Sequence, residues 1–417
     1  MNKGFFASYD SVWMLDGVRT PFIDYCTGLS SVSPTDMGIK VAREIFARTG
    51  VAPSDIGTVI TGNMAPGDCF QYFLPRHVGM YSGVPQAVPA VNVQRICGTG
   101  FELFRQAADQ IQLGYTQTAL VVGSESMTRN PIASFSHRTG FRLGVPVDFK
   151  DFMWEALFDP AALVTMPQTA ENLAVRYGIR REEVDAYASQ SFARAVEAQE
   201  RGFHAGEIVA LHNEKFELDG YAPREMRVTG KQKELATDTH ARPSPVEVLA
   251  GLKALYPNGV QTAGNSSALV DGAAAAIVAG GDYVRSTGVK PLARIVACAV
   301  VGVPPEIMGI GPAPAIRLLL ERSGLSLGDI GLFEINEAQG AQVLAVAREL
   351  ELDIGRLNVN GGAIALGHPL AATGVRLTIT LARALQERKL RYGVASACIG
   401  GGQGIAVLVE NTEYKGD

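Results

Sequence analysis

Met37, Val41, Ile45 and Phe46 recur at helical spacing behind Ser33-Pro34-Thr35-Asp36, whose N-cap serine and first-turn proline open a helix. Thr58-Val59-Ile60 and the stretch from Ala87 to Val93 have the short apolar character of strands. After Arg95-Ile96-Cys97, Phe101, Phe104, Ala108 and Ile111 return to the helical period. Leu332-Phe333-Glu334-Ile335 is a further short strand. Strand and helix alternating in this way predict an α/β architecture.

The pattern repeats. Thr49-Gly50-Val51-Ala52-Pro53-Ser54-Asp55-Ile56-Gly57 returns as Ser323-Gly324-Leu325-Ser326-Leu327-Gly328-Asp329-Ile330-Gly331, an offset of 324 − 50 = 274. The same offset places Gly98-Thr99-Gly100 on Ala372-Thr373-Gly374, and Leu120 to Ser124 on Val394 to Cys398. A fixed register of this length predicts two similar α/β halves about a pseudo-twofold axis, with a shared site between them.

Between the repeats the pattern breaks. The segment 127–246 holds Trp154, a helical stretch from Arg180 to Arg201 and a mixed-charge run from Arg224 to Arg242. It is too long for a plain loop and is expected to form a subdomain. The N-terminal half is therefore expected over 1–126 and 247–288, the inserted loop subdomain over 127–246, and the C-terminal half over 289–417.

Composition narrows the class. Charged residues make up 19% of the 417 positions, below the roughly 25% of an ordinary domain, while 46 glycines exceed the usual share of roughly 7%. A net charge of −5 argues against a general nucleic-acid binder. The five cysteines, Cys26, Cys69, Cys97, Cys298 and Cys398, are scattered without C-x-x-C pairing, which disfavours a disulfide framework or a zinc ribbon and points to a reducing compartment. The histidines lack metal-ligand spacing, so no metal is expected. Met1 to Val18 does not read as a signal or transit peptide, and Lys415-Gly416-Asp417 is not a peroxisomal address. No run of apolar residues is long enough to span a membrane, and a cytoplasmic location is expected.

Four positions carry chemistry. Cys97 stands between a strand and Gly98-Thr99-Gly100 at a helix start, where the dipole favours thiolate and the glycines admit a close partner. The matching turn of the second half has Ala371, with His368 three residues earlier in the run Gly361 to Pro369. If the two turns face each other, an imidazole meets a thiol, as nucleophilic catalysis requires. Cys398 ends a strand ahead of Ile399-Gly400-Gly401-Gly402-Gln403-Gly404, a turn whose exposed N–H groups can hold an oxyanion. Asn336-Glu337-Ala338 follows a strand at the end where α/β proteins bind ligands.

In this order, Cys97-Gly98-Thr99-Gly100, Asn336-Glu337-Ala338, the Gly361 to Gly374 segment with its Gly-His-Pro centre, and Cys398-Ile399-Gly400-Gly401-Gly402 resemble the four motifs of the thiolases, the acetyl-CoA C-acyltransferases, over essentially the whole chain. The resemblance implies duplicated halves in a five-layer α-β-α-β-α fold. It implies Cys97 as acyl-carrying nucleophile, His368 as its base and Cys398 as the acid/base at the α-carbon. His368 and a water on Asn336 would stabilise the enolate oxygen, and the N–H groups of Cys97 and Gly400 the tetrahedral intermediate. The reaction implied is ping-pong cleavage of a 3-oxoacyl-CoA by CoA, or its reverse. Coenzyme A would be a co-substrate, with no permanently bound cofactor.

Ser267 would contact the pantetheine arm, Met166 would line the pocket, and Arg224, Arg227, Lys231 and Lys233 would neighbour the CoA phosphates. The resemblance also implies a homodimer or tetramer, and it leaves open an accessory subunit, which some relatives bind. Gln339 stands where thiolases carry an aromatic, Thr165 precedes Met166 where many acetoacetyl-CoA thiolases have His, and Cys69-Phe70-Gln71-Tyr72-Phe73 is rich in aromatics. These departures suggest a longer, branched or aromatic acyl group. The alternatives are a ketosynthase-like condensing enzyme, which would have a second histidine in place of Asn336, and a non-catalytic protein binding CoA or lipid.

Overall fold

The computed structural model of the chain describes residues 4–231 and 233–415. The outermost residues of the two expected halves, and most of Lys415-Gly416-Asp417, lie outside them.

The first half contributes β1 (Val12–Arg19), α1 (Pro34–Thr49), β2 (Thr58–Gly62), α2 (Leu74–Tyr81), β3 (Ala90–Val93), α3 (Thr99–Gln112) and β4 (Thr118–Ser126). Then come α4 (Met166–Tyr177), α5 (Arg181–Glu200) and β5 (Val270–Gly280). The second half contributes β6 (Ala293–Gly302), α6 (Pro312–Ser323), β7 (Ile330–Ile335), α7 (Gly340–Leu350), α8 (Leu370–Glu387), β8 (Tyr392–Ile399) and β9 (Gln403–Asn411).

Their strands run β7–β8–β9–β6–β1–β5–β4–β2–β3. The order reads alike from either side of the β6–β1 junction. On each side a parallel pair, β4–β2 or β8–β7, is followed inward by an antiparallel neighbour. The junction itself pairs only Ala293 with Met14 and Arg294 with Trp13. The repeat is visible locally too. α1 and α6 end on Gly50 and Gly324, both at φ 69°, the left-handed conformation that glycine adopts without a Cβ penalty.

Side-chain alternation builds the layers. Leu120 and Val122 of β4 face outward onto Met37, Val41 and Ile45 of α1. Ala119 and Val121 face inward onto Phe101, Phe104 and Ala108 of α3, and α8 with Leu377 and Leu381 shares that inner layer. On the other side Val394, Ala406 and Leu408 face α6 and α7. The period of two along each strand thus produces five layers, α-β-α-β-α, with α3 and α8 in the middle.

The Ser33 cap forms, accepting from the Asp36 N–H at 3.1 Å. The stretch expected as a strand from Ala87 pairs only from Ala90, because Val88 N–H is taken by the Pro85 carbonyl in a turn. Segment 127–246 holds α4, α5 and several two- or three-residue strands. Trp154 sits on its surface, 60% exposed. α5 is cemented to the C-terminal half through Tyr187 and Ser191, described below.

Candidate active site

Cys97 lies in a single 3-10 turn, Ile96–Gly98, immediately before α3. The turn is sharp: Ile96 has φ 44°, a left-handed conformation costly for a β-branched residue and found where function over-determines the backbone. It is braced by Arg95 N–H donating to Thr99 Oγ1 at 2.8 Å and by Thr99 Oγ1 donating to the Ile96 carbonyl at 2.7 Å. Gly98 has no Cβ because one would stand 2.5 Å from Ile399 Cδ1. That absence lets the strand end carrying Cys398 approach.

Cys398 is fully buried, and the turn after it presents the Gly400 N–H to the Cys97 sulfur. Burial pushes the Cys97 thiol up to about 11, against the smaller pull of the Gly400 N–H and its own N–H. The thiolate expected from the helix terminus is therefore not the resting state; desolvation outweighs the dipole. Cys398 is also raised, by burial and by Cys97 beside it. Two protonated, buried thiols thus stand side by side.

His368 is held from both ring nitrogens. Its Nδ1 lies 2.6 Å from Thr373 Oγ1, whose own proton goes to the Pro369 carbonyl at 3.1 Å. The hydroxyl must then accept from Nδ1–H, which leaves Nε2 unprotonated, its lone pair accepting from the Asn336 amide. Asn336 Nδ2 faces that Nε2 at 3.3 Å, and Asn336 Oδ1 is buried without a partner. Burial first, and the Arg376 charge second, lower His368 to about 3, so the imidazole is neutral. Asn336 reaches this position because its N–H donates to the Ser396 carbonyl at 2.9 Å, two residues before Cys398.

The structure therefore groups Cys97, Cys398 and Gly400 on one side and His368 with Asn336 on the other. Glu125 joins the loop after β2 to the Ala371 turn. Its carboxylate accepts from Met64 N–H at 3.0 Å and Ala371 N–H at 3.2 Å, and its charge is felt at Cys97. Burial raises Glu125 to about 7. Glu337 does comparable work for the histidine loop. Buried, it accepts from Tyr187 and Ser191 of α5 at 2.7 Å, Asn358 at 2.9 Å and the Ile364 N–H at 3.0 Å. Neither role is legible in sequence spacing; only Glu337 is flagged, by its place after Asn336.

Met166 packs with Met308, Ala338 and Cys398 in a small apolar cluster, and Leu157 adds to it. Ser267 is threaded between the Asn336 and His368 loops: its N–H donates to Ala338 at 3.1 Å, and His368 N–H donates to Ala268 at 3.1 Å. Gln339 is buried beside Ser266 with its Oε1 unpartnered. Arg224 is not brought to this group. It pairs with Asp36 Oδ1 at 2.7 Å and so serves the first turn of α1. Arg227 lies on the surface and pairs with Glu225 at 2.8 Å. Among the described residues there is no cluster of His, Cys, Asp and Glu fit for a metal, and no helix long and apolar enough to cross a membrane.

Comparison with known proteins identifies the family. Residues 12–282 match the family model for the thiolase N-terminal domain, and 289–411 the thiolase C-terminal domain. Human mitochondrial 3-ketoacyl-CoA thiolase is 40% identical over 403 residues, covering 96% of this chain and 98% of that protein. Beta-ketothiolase BktB of Cupriavidus necator is 38% identical over 402 residues, covering 96% and 98%. The crystal structure of the human enzyme in complex with CoA superposes with a TM-score of 0.91 at 40% identity, covering 96% of this chain and 98% of that one. The chain belongs to the thiolase family.

Proposed function

We propose that the protein is a CoA-dependent acyltransferase that cleaves a 3-oxoacyl-CoA into a shortened acyl-CoA and a short acyl-CoA such as acetyl-CoA, or runs the reverse Claisen condensation. Two adjacent buried thiols, an N–H aimed at one of them, and a neutral imidazole held by Asn336 support this reading most directly. In the cleavage direction Cys97 Sγ attacks the 3-oxo carbon as its proton passes to His368 Nε2. The tetrahedral oxyanion is met by the Cys97 and Gly400 N–H groups. Collapse breaks the C2–C3 bond and leaves an acyl group on Cys97 and the enolate of the short acyl-CoA. The enolate oxygen lies toward His368 and a water on Asn336 Oδ1, and Cys398 protonates its carbon. CoA, the co-substrate, then attacks the acyl carbon as its thiol proton passes to the Cys398 thiolate, and the departing Cys97 sulfur takes back the proton held by His368, as ping-pong covalent catalysis requires.

Ser267 and Met166 are our candidates for the pantetheine and acyl contacts, with Arg227 near the phosphates; Arg224 is committed to Asp36. The Met166–Met308–Leu157 wall is apolar, which supports a longer, branched or aromatic acyl group. Asn336, where a condensing enzyme of ketosynthase type would carry a second histidine, favours thiolysis over that reading. The unpaired edge of β3, with Val91, Phe70, Tyr72 and Phe73 exposed nearby, supports a homodimer. Phe135, Phe141, Leu143 and Phe149, each exposed within segment 127–246, suit a dimer of dimers or an accessory subunit. Five free cysteines support a reducing, cytoplasmic setting. The test is thiolysis of a panel of 3-oxoacyl-CoA thioesters graded in length, branching and aromaticity. Cleavage of members beyond acetoacetyl-CoA is expected. No CoA-dependent cleavage of any member would overturn the reading.

A further inference from the structure

Three consecutive glycines, Gly400-Gly401-Gly402, join β8 to β9, with Gly401 at φ 78° and Gly402 at φ 85°. A glycine run holds no conformation of its own, yet the Gly400 N–H has to point at one atom, the Cys97 sulfur of the other half. The hairpin fixes part of the run. Gln403 is the register partner of Ile399, the Val303 N–H donates to the Gly402 carbonyl at 2.8 Å, and the Gly402 N–H donates to the Ile399 carbonyl at 3.3 Å. These bonds all lie within the second half, and none of them refers the turn to Cys97.

Arg95 supplies that reference. Its backbone N–H donates to Thr99 Oγ1 at 2.8 Å, its Nε to Glu102 Oε2 in the first turn of α3 at 2.9 Å, and its Nη1 to Gln403 Oε1 at 2.9 Å. Glu102 is buried and also accepts from Arg105 Nε at 2.9 Å and Gln106 Nε2 at 3.2 Å, so the guanidinium is anchored on α3. The bond to Gln403 joins positions 308 residues apart, one beside the nucleophile and one at the end of the Gly400 turn. Ile399 and Ile96 pack across the same gap: a Cβ on Gly98 would stand 2.5 Å from Ile399 Cδ1, and one on Gly400 3.7 Å from Ile96 Cδ1. Apolar packing of that kind is non-directional, whereas a charge-assisted hydrogen bond has a direction and sets the register.

We propose that Arg95 is a positioning residue: through Gln403 it holds the Gly400 turn in register with the Cys97 turn, so that the N–H groups of Cys97 and Gly400 meet one carbonyl oxygen on the Cys97 acyl group. Arg95 touches no reacting atom. The inference rests on the reading above in taking Cys97 as the acyl carrier. Arg95 and Gln403 are both partly exposed, so removing either strands no buried charge.

The test uses the full-length protein and acetyl-CoA labelled at the carbonyl. Infrared difference spectra read the thioester carbonyl on Cys97, whose band moves to higher frequency when the N–H donors draw away. Rapid-quench mass measurement reads the rate of acetylation. Gln403→Ala and Arg95→Met are each expected to move the band up and to slow acetylation roughly 10–100-fold, with the acetyl-CoA concentration needed for half-maximal rate little changed. The double variant is expected to be no slower than the slower single one, because both substitutions remove the same bond. Gln403→Glu, which keeps an acceptor facing Nη1, is expected to retain the wild-type band and rate.

A wild-type band and rate in Gln403→Ala, or Gln403→Glu impaired as far as Gln403→Ala, would overturn the proposal. Should Gln403→Ala not fold, Arg95→Met decides by the same band and rate. If the wild type takes no acetyl group, the enzymatic reading fails, and deuterium exchange of the Gly400 amide decides on the positioning role alone. Faster exchange in Gln403→Ala, restored in Gln403→Glu, would support that role, and equal exchange in the three proteins would contradict it.

Discussion

Gly100 of α3 and Gly374 of α8 meet backbone to backbone: a Cβ on Gly374 would stand 2.3 Å from Phe101 N, and one on Gly100 2.6 Å from Val375 N. They are the same position of the repeat, 374 − 100 = 274, so the pseudo-twofold axis passes between them. The crossing brings the Cys97 turn and the His368 loop to one end of the helix pair. Gly374→Ala must push two helix backbones apart in a packed core. We expect a loss of about 2–3 kcal/mol, measured by denaturant unfolding, together with reduced activity. Gly50→Ala, where no atom lies within 4 Å of the added Cβ, should cost only the left-handed strain of about 1 kcal/mol and leave activity unchanged.

Glu337 accepts four hydrogen bonds from α5, Asn358 and the Ile364 N–H. Glu337→Gln turns an acceptor into an NH₂ facing donors. It is expected to destabilise the fold by about 1–3 kcal/mol and to lower kcat more than KM, because the loop it holds carries His368. Unfolding curves and steady-state kinetics check both halves of that statement.

The offset of 274 and the Cys97, Asn336, His368 and Cys398 motifs are legible in the chain because spacing and glycine placement survive in one dimension. What is not legible is burial of charge. Arg376, Glu334 and Glu125 read as ordinary polar residues, and only the layer they fall in makes them expensive. Arg224 misleads for the mirror reason. Its partner Asp36 is 188 residues away, so a basic side chain in a polar stretch resembles a phosphate contact until α1 is in place. The thiolate expected at Cys97 fails because desolvation by the opposite half is a tertiary effect that local dipole reasoning omits.

Burial gives His368 a folded value near 3, below the ordinary value of roughly 6.5. Between those values the unfolded chain binds the proton and the folded one does not. The stability due to this group is present above about pH 6.5 and is lost as pH falls toward the folded value. Lowering pH from about 6.5 to 5 should cost wild type about 2 kcal/mol more than His368→Asn. Equal acid sensitivity of the two proteins in unfolding experiments would count against a neutral buried imidazole.

Cys97, held up at about 11, becomes thiolate only as pH rises. Its alkylation by iodoacetamide should climb roughly tenfold per pH unit from about pH 7 to 9 without a plateau. A plateau near pH 7 would indicate a preformed thiolate.

In the proposed mechanism Cys398 handles the α-carbon proton and leaves acylation to Cys97. In Cys398→Ala, exchange of the acetyl-CoA methyl protons with D₂O should fall by at least roughly 10²-fold, followed by NMR, while acetyl transfer to the protein persists.

The central claim is that Cys97 carries the acyl group. Intact-mass measurement after incubation with acetyl-CoA tests it most directly. Wild type and Cys398→Ala should gain one acetyl group, mapped by peptide analysis to Cys97, that free CoA removes; Cys97→Ala should gain none. An undiminished adduct in Cys97→Ala, or no adduct on wild type, would contradict the account.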